Sequence, residues 1–149
     1  MIPTVSLFGV TVPVGGVVGV EVSTRIGRID HRGIVSDAYG ADGQPRILHA
    51  SQLLGRVVEE DATAFARKAV GPIRFVGYWG SLPPEEVIKR ARSQIGTPYK
   101  LLRRNCEHFA SETHGLAAAS PQLRDTVGTA ALSATMAATG LLAAIGLSR

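Results

Sequence analysis

Apolar positions in the first eighty residues follow the two-residue alternation and the β-branched runs that are typical of β-strands. The Val-rich stretch at residues 1–20 favours strands as well, because Pro3 and Pro13 interrupt it. Turn-forming residues at 37–43 separate two of the runs, which predicts a long hairpin. Residues 61–70 are compatible with a short helix. The predicted strands are residues 16–22, 29–35, 46–50, 56–59 and 73–78.

The apolar period changes to that of a helix after residue 80. Pro83 and Pro84 suit a first helical turn, and Glu85 and Glu86 follow at its electropositive end. Gly96 is the expected stop. The apolar stripe of this predicted helix consists of Val87, Ile88, Ala91 and Ile95.

A second helix is predicted to begin at Asn105, which is a favourable N-cap residue, so that Cys106 lies in the first turn. The side chains expected on its buried side are Phe109, Thr113, Leu116 and Ala117. Together these elements predict an α+β fold in which an antiparallel sheet is followed by helices.

Residues 127–147 contain no charged side chain. A helix of that length spans about 31 Å, close to the roughly 30 Å of a bilayer core. We therefore expect residues 1–120 to form the folded domain and residues 121–149 to form a C-terminal hydrophobic helix that anchors it to a membrane. The alternative is an Ala-rich helix packed on the domain.

Charge and cysteine content narrow the classes of protein that fit. Residues 1–60 have a net charge of −1 and residues 61–149 of +5, which together give the chain's +4. The basic half suits an anionic membrane surface; no nucleic-acid motif accompanies it, so no nucleic-acid partner is expected. One cysteine excludes an intrachain disulfide and favours a reducing, cytoplasmic compartment. No cleaved leader, metal site or cofactor is expected.

Cys106 is the candidate nucleophile. The positive end of the helix dipole, together with Lys100, Arg103 and Arg104 just upstream, is expected to lower the pKa of its thiol. A thiolate also needs a nearby imidazole to manage protons. The alternative is a small buried thiol with a packing role only.

Residues 105–109 read Asn-Cys-Glu-His-Phe and resemble the NCEHF signature of the lecithin retinol acyltransferase-like family, which includes the HRAS-like suppressor phospholipases/acyltransferases. Residues 17–22 are similar to the opening strand of that family. Residues 31–35 and 48–50 are similar to the two strands that carry its histidines. The resemblance therefore extends over most of the chain.

This resemblance implies a circularly permuted papain-like (NlpC-like) cysteine fold. It implies that Cys106 is the nucleophile, His31 the base and His49 the residue that orients His31, while His108 is structural. The implied substrate is a phospholipid or another acyl-lipid at a membrane surface. A thiol peptidase or isopeptidase, and a non-catalytic membrane-interacting protein, are the alternatives.

Two features depart from the family pattern. Arg32 stands where the family has Trp, and the hairpin between the two histidines is longer than usual. Arg32 is either a contact for a substrate phosphate or a solvated surface charge. Both departures bear on which substrate is accepted.

Overall fold

The computed structural model describes residues 1–100 and 105–116. The chain divides into two units, Met1–Ala119 and Ser120–Arg149, and the described residues all belong to the first. Its elements in chain order are β1 (Thr4–Leu7), β2 (Val10–Pro13), β3 (Val17–Thr24), β4 (Gly27–Tyr39), β5 (Pro45–Ser51), β6 (Arg56–Glu60), α1 (Ala62–Phe65), β7 (Arg74–Gly77), α2 (Pro84–Ser93) and α3 (Cys106–Thr113).

Five strands form one antiparallel sheet in the order β6-β5-β4-β3-β7, and β1 and β2 form a separate hairpin. Strand β4 is the longest and lies at the centre of the sheet, paired with β3 along most of its length. The pairing of β4 with β5 is interrupted by a bulge between Val35 and Tyr39. Strand β4 continues to Tyr39, so it is longer than the predicted strand 29–35 and the turn begins only after it.

Side chains alternate between the two faces of the sheet, and each face carries its own core. The face that packs against α2 and α3, here the helix face, holds Val17, Ile34 and Leu48. The opposite face, here the hairpin face, holds Val18, Val20 and Val35 and is covered by β1, β2 and α1. A residue's position along a strand therefore decides which core its side chain enters.

Helix α2 begins as predicted, with Pro84 in its first turn and Glu85 and Glu86 next to it. It ends at Ser93, and Gly96 adopts a positive φ of 89° beyond it. Ile95 was expected on the buried stripe, but it lies past the helix end and is 49% exposed. The chain turns there to pair with the start of β6, so Ile95 no longer follows the helical period.

Helix α3 also begins as predicted. Asn105 accepts hydrogen bonds through its side-chain oxygen from the backbone N–H groups of Glu107 and His108, at 3.1 and 2.9 Å. Phe109 and Thr113 are buried as expected, whereas Leu116 is 44% exposed because the helix ends at Thr113. The prediction for Leu116 was therefore wrong.

The antiparallel α+β class is confirmed. The permuted papain-like arrangement and the C-terminal helix remain predictions, and residues 117–149 lie outside the described residues. Within residues 1–100 and 105–116, no helix is long and apolar enough to cross a bilayer.

Candidate active site

His31 and His49 meet on the hairpin face. His31 lies on β4 opposite Val20, and His49 lies on β5. The Nε2 atom of His31 is 2.9 Å from the Nδ1 atom of His49, so one imidazole hydrogen-bonds the other. Both rings also pack against Phe65, at centroid distances of 4.9 and 5.0 Å. The structure thus brings together two of the three site residues that the sequence predicts.

A carboxylate that could not be recognised from the sequence pattern continues this pair. The second ring nitrogen of His49, Nε2, lies 2.7 Å from Oε1 of Glu60 on the neighbouring strand β6. That hydrogen bond holds the pKa of Glu60 below its usual value, and Arg67 and Arg46 act in the same direction. Glu60, His49 and His31 therefore form a hydrogen-bonded chain across three adjacent strands.

The protonation states follow from burial. Burial lowers the pKa of His31 to about 3, and the adjacent His49 adds to the effect. His31 is consequently a neutral imidazole at physiological pH. A neutral ring has one nitrogen with a free lone pair, which is the form that a general base requires.

Cys106 lies on the helix face, in the core formed with Ile34 and Phe109. Its Sγ atom is 3.8 Å from the carbonyl oxygen of Asp30, and the backbone N–H of Arg32 donates a hydrogen bond to the sulfur. These two groups flank His31 in the sequence. The thiol is therefore placed against the main chain of β4 at the level of His31.

Among the described residues, no hydrogen bond joins the side chains of Cys106 and His31. Val20, the cross-strand neighbour of His31, belongs to the core of the hairpin face, whereas Cys106 belongs to the core of the helix face. The hydrogen bond that His31 makes is to His49, not to the thiol. The sulfur lies against the main chain of β4, so the predicted nucleophile and base meet at the same strand without a direct hydrogen bond.

The expected lowering of the Cys106 pKa is not found in this arrangement. Burial raises the pKa of the thiol to about 11, and the negative charge of Glu107 acts in the same direction. The hydrogen bond and the charge of Arg32 oppose burial without overcoming it. Arg103 and Arg104, which the prediction relied on, lie outside the described residues. The described state is a neutral thiol only 7% exposed.

Arg32 is not a solvated surface charge. Its side chain is 13% exposed and pairs with Asp30 at 3.1 Å, and Arg74 pairs with the same carboxylate. Its Nε and Nη1 atoms are buried without a hydrogen-bond partner among the described residues. Gly19 leaves room for this guanidinium, because a Cβ there would lie 2.9 Å from Nη1.

The other two histidines lie on or beside α3. His108 is partly buried, and its Nδ1 atom has no hydrogen-bond partner within the described residues. His114 is 2% exposed, packs edge-on against Tyr78 and accepts a hydrogen bond from the backbone N–H of Gly80. These contacts make His114 part of the core. In the part of the chain that the structure describes, no three potential ligands converge on a metal position.

The fold and site define a small α+β domain with a cysteine at the first turn of a helix and a linked histidine pair on an antiparallel sheet. Residues 20–115 match the model of the lecithin retinol acyltransferase family, and the chain belongs to that family. The family indicates an acyltransferase-type enzyme with lipid acyl substrates in general. No curated protein and no solved structure matches the chain significantly.

Proposed function

We propose that this protein is a cysteine-dependent lipid acyltransferase or phospholipase that forms a thioester on Cys106. In this proposal His31 is the general base and His49 orients it, within a permuted papain-like arrangement of sheet and helix. The observation that carries it is the position of the thiol against β4, on the main-chain groups that flank His31. Family membership supplies the expected chemistry.

The reaction has two balanced steps. The sulfur of Cys106 attacks the carbonyl carbon of a lipid ester while His31 accepts the thiol proton. The C–O bond then breaks, and that proton passes to the departing lysolipid oxygen. In the second step water, an amine or a hydroxyl attacks the thioester and the thiol is restored. Water gives a free fatty acid, and an acceptor lipid gives an acylated product.

The first step requires the imidazole of His31 to reach the thiol. The sulfur is hydrogen-bonded to the carbonyl of residue 30 and to the N–H of residue 32. The Cα atom of His31 therefore lies between the two groups that the sulfur contacts. The mechanism needs the free nitrogen of that imidazole to reach the sulfur while Nε2 stays hydrogen-bonded to His49. The thiol proton could then pass directly to the imidazole.

The lipid substrate is favoured over a peptide by charge as well as by family. Arg32 and Arg74 bring two cations to the single carboxylate of Asp30, so this ion cluster is positive, while Glu107 places a negative charge next to the thiol. Buried donors on Arg32 would suit a headgroup phosphate that displaced the side chains covering them. A thiol peptidase or isopeptidase is the second candidate, because a Cys–His pair serves either chemistry.

The substrate is tested with mixed phospholipid vesicles. We expect free fatty acid, lysophospholipid or N-acylated lipid from the wild type and none from Cys106→Ser. Cleavage of peptide or isopeptide substrates without any lipid product would move the assignment to the peptidase.

Membrane association through residues 121–149 is part of the same proposal, since it would raise the local concentration of lipid. The charge-free run at residues 127–147 supports it. We expect the full chain to sediment with vesicles and a chain ending at Ser120 to sediment far less. Equal sedimentation of the two would contradict the anchor.

A further inference from the structure

Two adjacent carboxylates on β6 point to opposite faces of the sheet. Glu59 lies opposite Leu48 on the helix face and pairs with Arg92 of α2, at 2.9 Å. Glu60 lies opposite Ile47 on the hairpin face and contacts His49. Glu59 therefore links β6 to α2 through an ion pair, while Glu60 hydrogen-bonds to the histidine pair.

The contact of Glu60 decides which nitrogen of His49 carries the proton. A carboxylate can only accept a hydrogen bond, so at 2.7 Å the Nε2 atom of His49 must be the donor. The groups that face this carboxylate are His49 and Arg46 from β5 and Arg67 beyond α1, with its Nη2 atom at 3.6 Å. Both arginines favour the ionised carboxylate that accepts the bond.

The position of the proton on His49 in turn determines which nitrogen of His31 carries a proton. When Nε2 carries the only ring proton of His49, its Nδ1 atom is an acceptor and receives a hydrogen bond from Nε2 of His31, at 2.9 Å. His31 is neutral, so its second nitrogen, Nδ1, keeps the free lone pair. The carboxylate of Glu60 thus determines the donor in both hydrogen bonds: His49 donates to Glu60, and His31 donates to His49.

We propose that Glu60 is a positioning residue that fixes the tautomers of His49 and His31 so that Nδ1 of His31 is the atom that accepts the thiol proton. This inference rests on the proposed function for its catalytic consequence. Glu60 does not touch the reacting atoms. It acts through His49, as the orienting carboxylate does in other nucleophile–base systems.

Replacing Glu60 by Gln tests the tautomer directly. A glutamine side chain presents either a donor or an acceptor to Nε2 of His49, so both tautomers become accessible. The matched control is Glu59→Gln, which removes a carboxylate–arginine contact from the same strand without touching His49. Glu60→Asp keeps the carboxylate and tests rescue.

Long-range ¹H–¹⁵N correlation spectra of the imidazoles provide a readout that does not depend on activity. In the wild type we expect the Nε2–H tautomer at both His31 and His49, and in Glu60→Gln a shift of both towards the other tautomer. Glu59→Gln is expected to keep the wild-type pattern. An Nδ1–H tautomer at either histidine of the wild type would overturn the proposal even if no variant folded.

The rate of acyl-Cys106 formation provides the second readout. Glu60→Gln is expected to slow it about 10- to 100-fold, less than the full contribution of a general base, with partial recovery in Glu60→Asp. A Glu60→Gln rate equal to that of Glu59→Gln would contradict the proposal. Absence of acyl-Cys106 in the wild type would contradict the proposed function instead, and the spectra would still decide the tautomers.

Discussion

At the scale of single residues, the state of the Cys106 thiol is the first point that can be measured. It is the chain's single cysteine, so its alkylation by iodoacetamide can be followed without background. Since burial raises its pKa to about 11, we expect the alkylation rate to rise with a midpoint above about 8.5, the value of a free thiol. A midpoint at or below that value would contradict the described state and favour the activated thiol expected from the sequence.

The roles of the histidines are separable by substitution. His31→Ala is expected to reduce turnover about 10²- to 10⁴-fold, the usual contribution of a general base. His108→Ala is the control, because His108 lies on α3 two residues from Cys106 but takes no part in the histidine pair. A larger loss in His108→Ala than in His31→Ala, with both variants folded, would show that the base is misassigned.

At the scale of elements, the cap of α3 positions the proposed nucleophile. Asn105→Ala removes the acceptor for two backbone N–H groups and is expected to lower the free energy of unfolding by about 1 kcal/mol. Asn105→Ser keeps a capping oxygen and is the control. Denaturant titration of both variants measures the difference. Equal stability of Asn105→Ala and wild type would show that the cap contributes nothing.

Local sequence patterns predicted the strands and helices, but not the register between strands or the packing of helices on the sheet. Alternation gave strands close to β3 and β5, and Asn105 and Pro84 marked helix starts, because these signals depend on near neighbours. Glu60 escaped prediction because its contact with His49 depends on the register of β5 with β6. The face on which α3 packs is likewise a tertiary property, so the contact of Cys106 with the main chain on either side of His31 could not be predicted from spacing.

At the scale of the whole molecule, burial of neutral histidines couples stability to pH. The pKa of His31 is lowered to about 3, and burial also lowers the pKa of His114. Between pH 6.5 and 3 the unfolded chain binds more protons than the folded one, so the free energy of unfolding falls as the pH falls. Each such group contributes at most about 1.4 kcal/mol per pH unit.

We therefore expect a smaller loss of stability between pH 6.5 and 5 in His31→Gln than in the wild type. This range lies above the titration of carboxylates, so their contribution there is small. Denaturant titrations at the two pH values measure the change, with His114 contributing equally to both proteins. The same loss in both proteins would show that His31 is not buried as a neutral ring.

In the proposed function, Cys106 carries the acyl group of a lipid during turnover. Intact mass spectrometry of the full chain after incubation with phospholipid vesicles tests it most directly. We expect a wild-type species heavier by one acyl group, released by hydroxylamine and mapped to Cys106, and no such species in Cys106→Ser. Lipid turnover that persisted in Cys106→Ser, or turnover by a wild type that never showed the adduct under rapid acid quench, would contradict it.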